Sequence, residues 1–393
     1  MNFKLDGFNF IDKAAEQLYN LASYLHKNPE IALKEHKAHD YICSFLEKNG
    51  FKTERNFILE TGFLATYETA PKPHFAILVE MDALPDIGHA CGHNLIAECS
   101  VAAGLGLMEI MKMHNLKGKL SLLGTPAEET CGGKITYVRE GFFKDVDVAI
   151  MSHPSMENVV HKSHLAVSQY KISFIGKEAH AAASPWMGKN ALDAAVIAYQ
   201  SVSCLRQQIN PTCRINGIFI HGGVATNIIP NYIEMEYEIR ATTSHELNNI
   251  VPKVLACFEG AGLATGCQVQ ISNKNPTFEN LISNKFLIKI FEENAKILEI
   301  PLDKDNGLSD GSSDIGNVSH VCPSLQPLFY IGTNYDTHTK DYAIETGKRE
   351  AQKYVLTQAK CIVGTLTDIL CDSSGHYVAE IKRQFKKDLV LYS

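Results

Sequence analysis

The chain has 393 residues, of which 45% are hydrophobic and 21% are charged, and this composition excludes a disordered or fibrous protein. Its 37 basic and 44 acidic side chains give a formal charge of −7, which argues against nucleic acid or an anionic membrane as the main partner. The N-terminal residues contain no apolar h-region, and the 11 cysteines follow no regular spacing, so we expect reduced thiols and a cytoplasmic location.

The first third of the sequence alternates between predicted helices and short apolar strands. Apolar residues at helical spacing predict three helices, over 11–25, 35–49 and 94–114. Three short runs that are apolar on both faces predict strands, at 75–80, 119–125 and 147–153. Strands of this kind, separated by helices, are typical of a largely parallel sheet that is covered on both sides.

The middle of the sequence has a different pattern. Apolar and polar residues alternate over 168–176 and 230–240, which predicts antiparallel strands with one solvated face. Further strands are predicted at 214–221 and 267–273, and helices at 188–207 and 244–262. The resulting order, β-α-β-β-α-β, is that of a split βαβ, ferredoxin-like unit.

From residue 280 onward the α/β pattern returns, with a helix at 283–298, a strand at 325–331 and a helix at 347–370. Our interpretation is an α/β protein in which a smaller ferredoxin-like α+β domain is inserted into a larger one. The larger domain has a mostly parallel sheet with helices on both faces. Its bounds are 1–166 and 278–393, and the inserted domain spans 167–277. Three serial domains are the alternative, but the last third has too few strands for a sheet of its own.

Side chains that can bind metal lie just after the predicted strands, at the edge where open α/β sheets bind ligands. Cys91 and His93 lie in a loop that opens a helix, and a thiolate with an imidazole suits zinc or another borderline transition metal. Taken alone, the pair is weak evidence, and a helix-capping histidine beside a buried cysteine is the more common explanation.

Two adjacent carboxylates, Glu128 and Glu129, follow the next strand. They repel each other unless a cation or a shared proton compensates them, so we predict one on a metal and its neighbour as a general base. His153 ends the following strand, and His338 returns from the last segment. With Cys91 and His93, these residues supply enough ligands for two metals that share a thiolate, with one carboxylate to spare.

The chain resembles the co-catalytic metal amidohydrolases and peptidases related to aminoacylase and glutamate carboxypeptidase. Within them it is most similar to the branch with indole-acetyl-amino-acid hydrolases, aminobenzoyl-glutamate hydrolase and β-alanyl-lysine-type dipeptidases. The resemblance rests on ordered runs between positions 75 and 345: VEMDALPDIGHACGHN, GTPAEET, MSHPS, GKEAHAA, GGVATNIIP, EIR and SSDIGNVSHVCPSLQP.

The resemblance implies a role for each matching residue. Cys91 would bridge two divalent metal ions, and the remaining ligands would be His93, Glu129, His153 and His338. Glu128 would be the general base. Three residues of the inserted lid or dimerisation domain would act on the substrate. His180, typically of the partner subunit, would stabilise the oxyanion, and the substrate carboxylate would be bound by Asn227 and Arg240.

The implied reaction is hydrolysis of an amide bond that releases an amino acid with a free carboxylate, from an N-acyl-amino acid or a dipeptide-like substrate. A metal-bound hydroxide attacks, and a glutamate serves as general base. The expected cofactors are two zinc or manganese ions, with cobalt and nickel as further options. The expected partners are this small molecule and further copies of the chain in a homodimer or higher homo-oligomer, with no nucleic acid and no membrane.

One departure from the family pattern concerns Asn94, which stands where many members of the branch have aspartate. We expect either weaker orientation of His93 or orientation by a neutral amide. Of the acids after the first apolar strand, Asp82 is expected to orient a ligand and Glu80 to be structural.

Two alternative functions fit the same motifs. The first is a catalytically weak or silent metal-binding or scaffold homologue. The second is an amidase that uses Cys91 as a thiol nucleophile with a histidine, which leaves Glu128, Glu129, His153 and His338 without a role.

Overall fold

A computed structural model describes residues 2–304 and 311–392. The chain divides into two compact units. The first comprises the residues up to Ser163 together with Leu281–Leu391, and the second comprises His164–Asn280.

Twelve strands lie within the described residues: β1 Lys52–Arg55, β2 Phe63–Glu68, β3 His74–Val79, β4 Lys119–Gly124, β5 Val148–Ile150, β6 His153–Ser155, β7 Ala166–Ile175, β8 Arg214–His221, β9 Tyr232–Ala241, β10 Gln268–Asn273, β11 Ser324–Leu325 and β12 Leu328–Tyr330. The α-helices of the same residues are α1 Asn2–Lys27, α2 His36–Lys48, α3 His93–Met113, α4 Gly133–Arg139, α5 Ala191–Leu205, α6 Ser244–Thr265, α7 Lys285–Ile297, α8 Ile315–Ser319, α9 Lys340–Thr346, α10 Gln352–Leu370 and α11 His376–Tyr392.

The first unit is built on a six-stranded sheet with the order β1-β2-β4-β3-β5-β11. β3 pairs in parallel with β4 and β5, and β11 pairs in parallel with β5. β2 is antiparallel to both of its neighbours, so the sheet is mixed, with three parallel pairings and two antiparallel ones. The α/β class is confirmed. Strands β1 and β2 were not predicted, and the four residues of β1, Lys-Thr-Glu-Arg, include no buried side chain.

Helix α3 packs against α1, α10 and the sheet, and its side chains form the centre of the core. Its 21 residues are long and apolar enough to cross a membrane by length and composition alone. However, 94% of its most apolar 18-residue window is buried inside the protein, as in the core helix of a globular domain.

The predicted strand at 325–331 is divided into two. β11 extends the main sheet, whereas β12 pairs in parallel with β6 in a separate two-stranded sheet. Pro327 lies between them and has no N–H to donate to a strand ladder, which explains the interruption. The carbonyl of Pro327 accepts a hydrogen bond from the backbone N–H of His153, which fixes the start of β6.

The second unit has the predicted β-α-β-β-α-β order, from β7 through α5, β8, β9 and α6 to β10. Its four strands form an antiparallel sheet with the order β10-β7-β9-β8. The alternation along β9 has the predicted sense. The apolar residues Ile233, Met235, Tyr237 and Ile239 are buried with the apolar residues of α5 and α6, and the intervening charged residues are partly exposed.

Candidate metal centre

The loops that carry the predicted site start at one edge of the main sheet. β3 and β4 end together, because Val79 is paired with Gly124, and both strands run parallel to β5. Consequently, the loops after β3 and β4 and the start of β6 all lie at the carboxyl edge of the sheet. This is the edge at which open α/β sheets bind ligands.

Cys91 and His153 form the first contact within the site. The Sγ of Cys91 lies 3.3 Å from Nε2 of His153, and Nδ1 of His153 donates a hydrogen bond of 2.8 Å to the carbonyl of Pro154. Nε2 therefore presents its lone pair to the thiol. Glycine is required at position 92, where the Cys91 loop passes close to Pro154. The φ of Gly92 is +81°, and a Cβ there would lie 2.5 Å from Cγ of Pro154.

His93, the first residue of α3, is fully buried and is held from behind by Asp82. Its Nδ1 donates to Oδ1 of Asp82 over 3.1 Å, so in the neutral ring, the form that binds metal, Nε2 carries a lone pair. That lone pair lies 3.4 Å from Oε2 of Glu80 and 3.7 Å from Oε1 of Glu129. Among the described residues, none of these three atoms has a hydrogen-bond partner. Acceptor atoms that converge in this way are stabilised by a cation or a proton placed between them.

His338 completes the arrangement from the other end of the chain. Its Nε2 lies 3.6 Å from Oε1 of Glu129, and its backbone N–H donates to the carbonyl of Ala90, which ties the late segment to the Cys91 loop. The ligand atoms fall into two groups with mutual distances within 4.8 Å. One group is Cys91, His93 and His153, and the other is Cys91, Glu129 and His338.

This set of donor atoms fits a pair of divalent ions. Cys91 belongs to both groups, so its sulfur is placed to serve two ions at once. A thiolate with imidazoles and a carboxylate is the ligand chemistry of zinc and neighbouring transition metals. The unpartnered Nε2 of His93 and Oε1 of Glu129 are the atoms that a bound ion would satisfy.

Burial and neighbouring charges set the protonation of the ligands. Burial lowers the pKa of His153 to about 4, so its ring is neutral and able to bind metal at ordinary pH. Burial acts in the same direction on His93, but the carboxylates of Asp82 and Glu80 outweigh it and raise its pKa. Burial, and then the Glu129 carboxylate, raise the pKa of Cys91, so without a cation beside it this group stays a thiol.

A buried ion-pair network that we did not predict lies next to these ligands. Nζ of Lys134 is 2.5 Å from Oε1 of Glu80 and 2.5 Å from Oδ1 of Asp314, and all three side chains are buried. Oxygens of Glu80, Asp314 and Glu128 lie within 4.8 Å of one another. Burial, together with the charges of Glu80 and Glu129, raises the pKa of Glu128. Because its other oxygen, Oε2, lies 3.4 Å from Nε2 of His93, Glu80 is part of the site and not only a structural residue.

Asn94 does not orient His93. Its Nδ2 donates to the carbonyl of Thr346 over 2.9 Å and so attaches the start of α3 to the end of α9. Orientation of His93 comes from Asp82, whose second oxygen also accepts the backbone N–H of Glu129 over 3.0 Å. The substitution of Asn94 for aspartate therefore leaves the carboxylate–histidine contact in place.

The predicted substrate-binding residues belong to the second unit. His180 is exposed, and its Nδ1 accepts hydrogen bonds from the N–H groups of Ala182 and Ala183, which places the ring proton on Nε2. The N–H of Ala181 donates to the carbonyl of Asn227, so the structure brings these two loops together. Arg240 lies farther along β9 on the face away from the helices, where its Nε donates to Glu238.

Comparison with known proteins extends these observations. Residues 163–264 match the family model described as a peptidase dimerisation domain. An Xaa-Arg dipeptidase of Mus musculus is 41% identical, over 96% of this chain and 90% of that protein. A p-aminobenzoyl-glutamate hydrolase chain of Escherichia coli is 27% identical, over 93% of this chain and 92% of that protein. A dinuclear metal-binding peptidase of the M20 family from Bacillus subtilis has the same fold, with a TM-score of 0.66 at 18% identity, over 91% of this chain and 99% of that chain.

An α/β unit with this cluster at its carboxyl edge, together with a smaller antiparallel unit, defines a metal-dependent amide-bond hydrolase. The identity to the dipeptidase over nearly the whole of both chains goes beyond a likeness of fold. The chain belongs to the M20 family of amidohydrolases and peptidases. The resemblance inferred from the sequence motifs is confirmed.

Proposed function

We propose that the chain hydrolyses the amide bond of a dipeptide or an N-acyl-amino acid and releases an amino acid with a free carboxylate. Two divalent ions would be held by Cys91, His93, Glu129, His153 and His338. One observation carries the proposal. The buried atoms Nε2 of His93 and Oε1 of Glu129 have no hydrogen-bond partner among the described residues, and they belong to two ligand groups that share Cys91.

When bound, the two ions supply Lewis acidity, which acidifies the attacking water and polarises the carbonyl of the substrate. Glu128 would be the general base, and the position of its carboxylate beside the ligand atoms of His93 and Glu129 supports this role. Its raised pKa suits a group that accepts a proton from water and later delivers it to the leaving amine. The same carboxylate would serve both steps.

The second unit would act on the substrate. His180, with its proton on Nε2, would donate to the developing oxyanion, and removing such a donor costs on the order of 100–1,000-fold in rate. Asn227 and Arg240 would bind the substrate carboxylate, for which a guanidinium offers a planar pair of donors. We assign the inserted domain predicted at 167–277, which lies within the second unit, as a lid and dimerisation domain, and the match of residues 163–264 to a dimerisation-domain model supports this.

Three further features belong to the proposal. Zinc or manganese would be the native metal, with cobalt or nickel able to replace them, because the donor set suits borderline divalent ions. The protein would be a homodimer or a higher homo-oligomer, which the match to a dimerisation domain supports. It would be located in the cytoplasm, since 11 cysteines without regular spacing are usual in a reducing compartment.

The names of the relatives guide the choice of substrate. We expect the chain, loaded with zinc or manganese, to hydrolyse at least one member of a panel of Xaa-Arg and Xaa-Lys dipeptides, p-aminobenzoyl-glutamate and N-acetyl-amino acids. A chelator should abolish the hydrolysis, and returning the metal should restore it, because the attacking water depends on the ions. Release of the amino acid, measured by chromatography, tests this expectation.

The controls separate the alternatives. The variant His153→Ala should lose metal, whereas His74→Ala should retain it, because His74 is a buried histidine that contacts Asp145 and Ser121 at the far end of β3. Full metal occupancy with no hydrolysis of the panel would instead support the silent homologue. Hydrolysis that resists the chelator would support the thiol nucleophile.

A further inference from the structure

Glu35 is a fully buried carboxylate to which the proposed mechanism gives no role. It immediately precedes α2 but does not cap that helix with its side chain. Its Oε1 accepts the backbone N–H of Ala127 over 2.9 Å, and its Oε2 accepts the hydroxyl of Thr61 over 2.7 Å. Burial removes the hydration of a carboxylate at a cost in folding free energy that an apolar side chain would avoid. The two hydrogen bonds of Glu35 are what offsets this cost.

Ala127, the partner of Glu35, has an unusual backbone conformation. Its φ is +63°, in the left-handed region that residues with a Cβ seldom adopt, and Glu128 follows it directly. The carbonyl of Ala127 accepts the N–H of Gly132, so both polar groups of this residue are fixed. The direction in which the Glu128 side chain leaves the backbone therefore depends on a conformation that must be held in place.

The peptide group on the other side of Glu128 is also held by a buried carboxylate. The N–H of Glu129 donates to Oδ2 of Asp82 over 3.0 Å. Glu128 thus stands between two backbone N–H groups, each bound by an acid from a distant part of the sequence. Hydrogen bonds to a charged acceptor are roughly twice as strong as those between neutral groups. Strong bonds of this kind can hold a loop that contains an unfavourable left-handed residue.

We propose that Glu35 is a positioning residue for Glu128: by binding the N–H of Ala127, it holds the left-handed turn that aims the Glu128 carboxylate at the metal ligands. This inference rests on the proposed role of Glu128 as general base. Glu35 acts here as a hydrogen-bond acceptor of the correct length. Burial raises its pKa, so the proposed role depends on the hydrogen-bond geometry of the side chain and not on its charge.

The test compares three substitutions at Glu35. Glu35→Ala should lower kcat on the order of 10–100-fold, with KM and metal content unchanged, because a base displaced by about 1 Å loses rate without losing substrate. Glu35→Gln should remain within about threefold of the wild type, since its amide oxygen still accepts from Ala127 and its NH₂ group can donate to Thr61. Glu35→Asp keeps the charge but is too short to reach both partners, so it should be slower than Glu35→Gln.

Glu98 provides the matched control, because it is a buried carboxylate of the same unit that accepts a hydrogen bond from the side chain of Gln352. Glu98→Ala should leave kcat within about twofold of the wild type. Unchanged kcat in Glu35→Ala, or a loss in Glu35→Gln as large as that in Glu35→Ala, overturns the proposal. If Glu35→Ala does not fold, the comparison of Asp with Gln decides, and equal rates, or a faster Asp variant, overturn it.

A second measurement is independent of turnover. Backbone hydrogen exchange over residues 125–132 should be faster in Glu35→Ala and Glu35→Asp than in the wild type or in Glu98→Ala. Unchanged exchange overturns the role of Glu35. If the wild type hydrolyses nothing on the panel but the exchange result is as expected, the proposed function fails. The role of Glu35 in holding the backbone at Ala127 is then still supported.

Discussion

Glu128→Gln should lower kcat by about 10²–10⁴-fold, the usual contribution of a positioned general base. Glutamine has nearly the same shape but cannot accept the proton of the attacking water. The ligand groups around Cys91 do not require Glu128, so both metal ions should stay bound. Steady-state kinetics on the best substrate of the panel, with metal content measured on the same sample, checks both expectations.

The neighbouring substitution Glu129→Gln is the contrast to this variant. Oε1 of Glu129 lies between Nε2 of His93 and Nε2 of His338, so its replacement should weaken metal binding as well as turnover. If Glu128→Gln hydrolyses the substrate at the rate of the wild type, Glu128 is not the base. If it loses its metal, Glu128 is a ligand instead.

Lys134→Met should destabilise the protein by about 3–5 kcal/mol, the usual cost of removing one partner from a buried ion pair. Nζ of Lys134 is the partner of both Glu80 and Asp314, at 2.5 Å from each. Methionine fills the space but removes the positive charge that both buried carboxylates contact. Chemical denaturation followed by circular dichroism measures the change in the free energy of unfolding.

The ion pair of Lys360 with Asp12 serves as the matched control on the protein surface. Both oxygens of Asp12 contact Nζ of Lys360, and the Asp12 side chain is 55% exposed. Lys360→Met should therefore cost no more than about 1 kcal/mol. Equal losses for the two variants would contradict the account of the buried network. The double variant Lys134→Met/Asp314→Asn, which removes one charge of each sign, should recover part of the loss.

The sequence was sufficient to predict the residues at the ends of the strands. Cys91, Glu129 and His153 each follow or end an apolar run, and the carboxyl ends of neighbouring strands in a parallel arrangement meet at one edge. The apolar runs predict the strands, and the rule that their carboxyl ends share one edge predicts that these three residues lie close together. His338 lies far along the chain in a segment without a strong pattern, so the sequence made it a candidate ligand only as part of the whole set, and the resemblance then implied its role.

The residues behind the site could not be predicted in this way. Lys134 meets Asp314 across 180 positions of sequence, and Glu35 meets Ala127 across 92. Such contacts depend on tertiary packing, and on a surface each of these side chains would look like any other charged residue. The one local signal was Gly132-Gly133 after the acidic pair, which marks an irregular loop but not what holds it.

Two differences in the fold have similar causes. Strand β1 belongs to the edge of the sheet and buries none of its side chains, so it has no apolar pattern from which to predict it. Pro327 marks the break between β11 and β12 in the sequence, but the apolar run does not show that one half pairs with β5 and the other with β6.

The most direct test of the account is anomalous diffraction from crystals of the metal-loaded protein, recorded at the absorption edge of the bound metal. We predict two peaks, one within coordination distance of Cys91, His93 and His153 and the other within coordination distance of Cys91, Glu129 and His338. A fully loaded crystal with a single peak, or with Cys91 beyond the reach of either ion, would contradict the shared dinuclear centre.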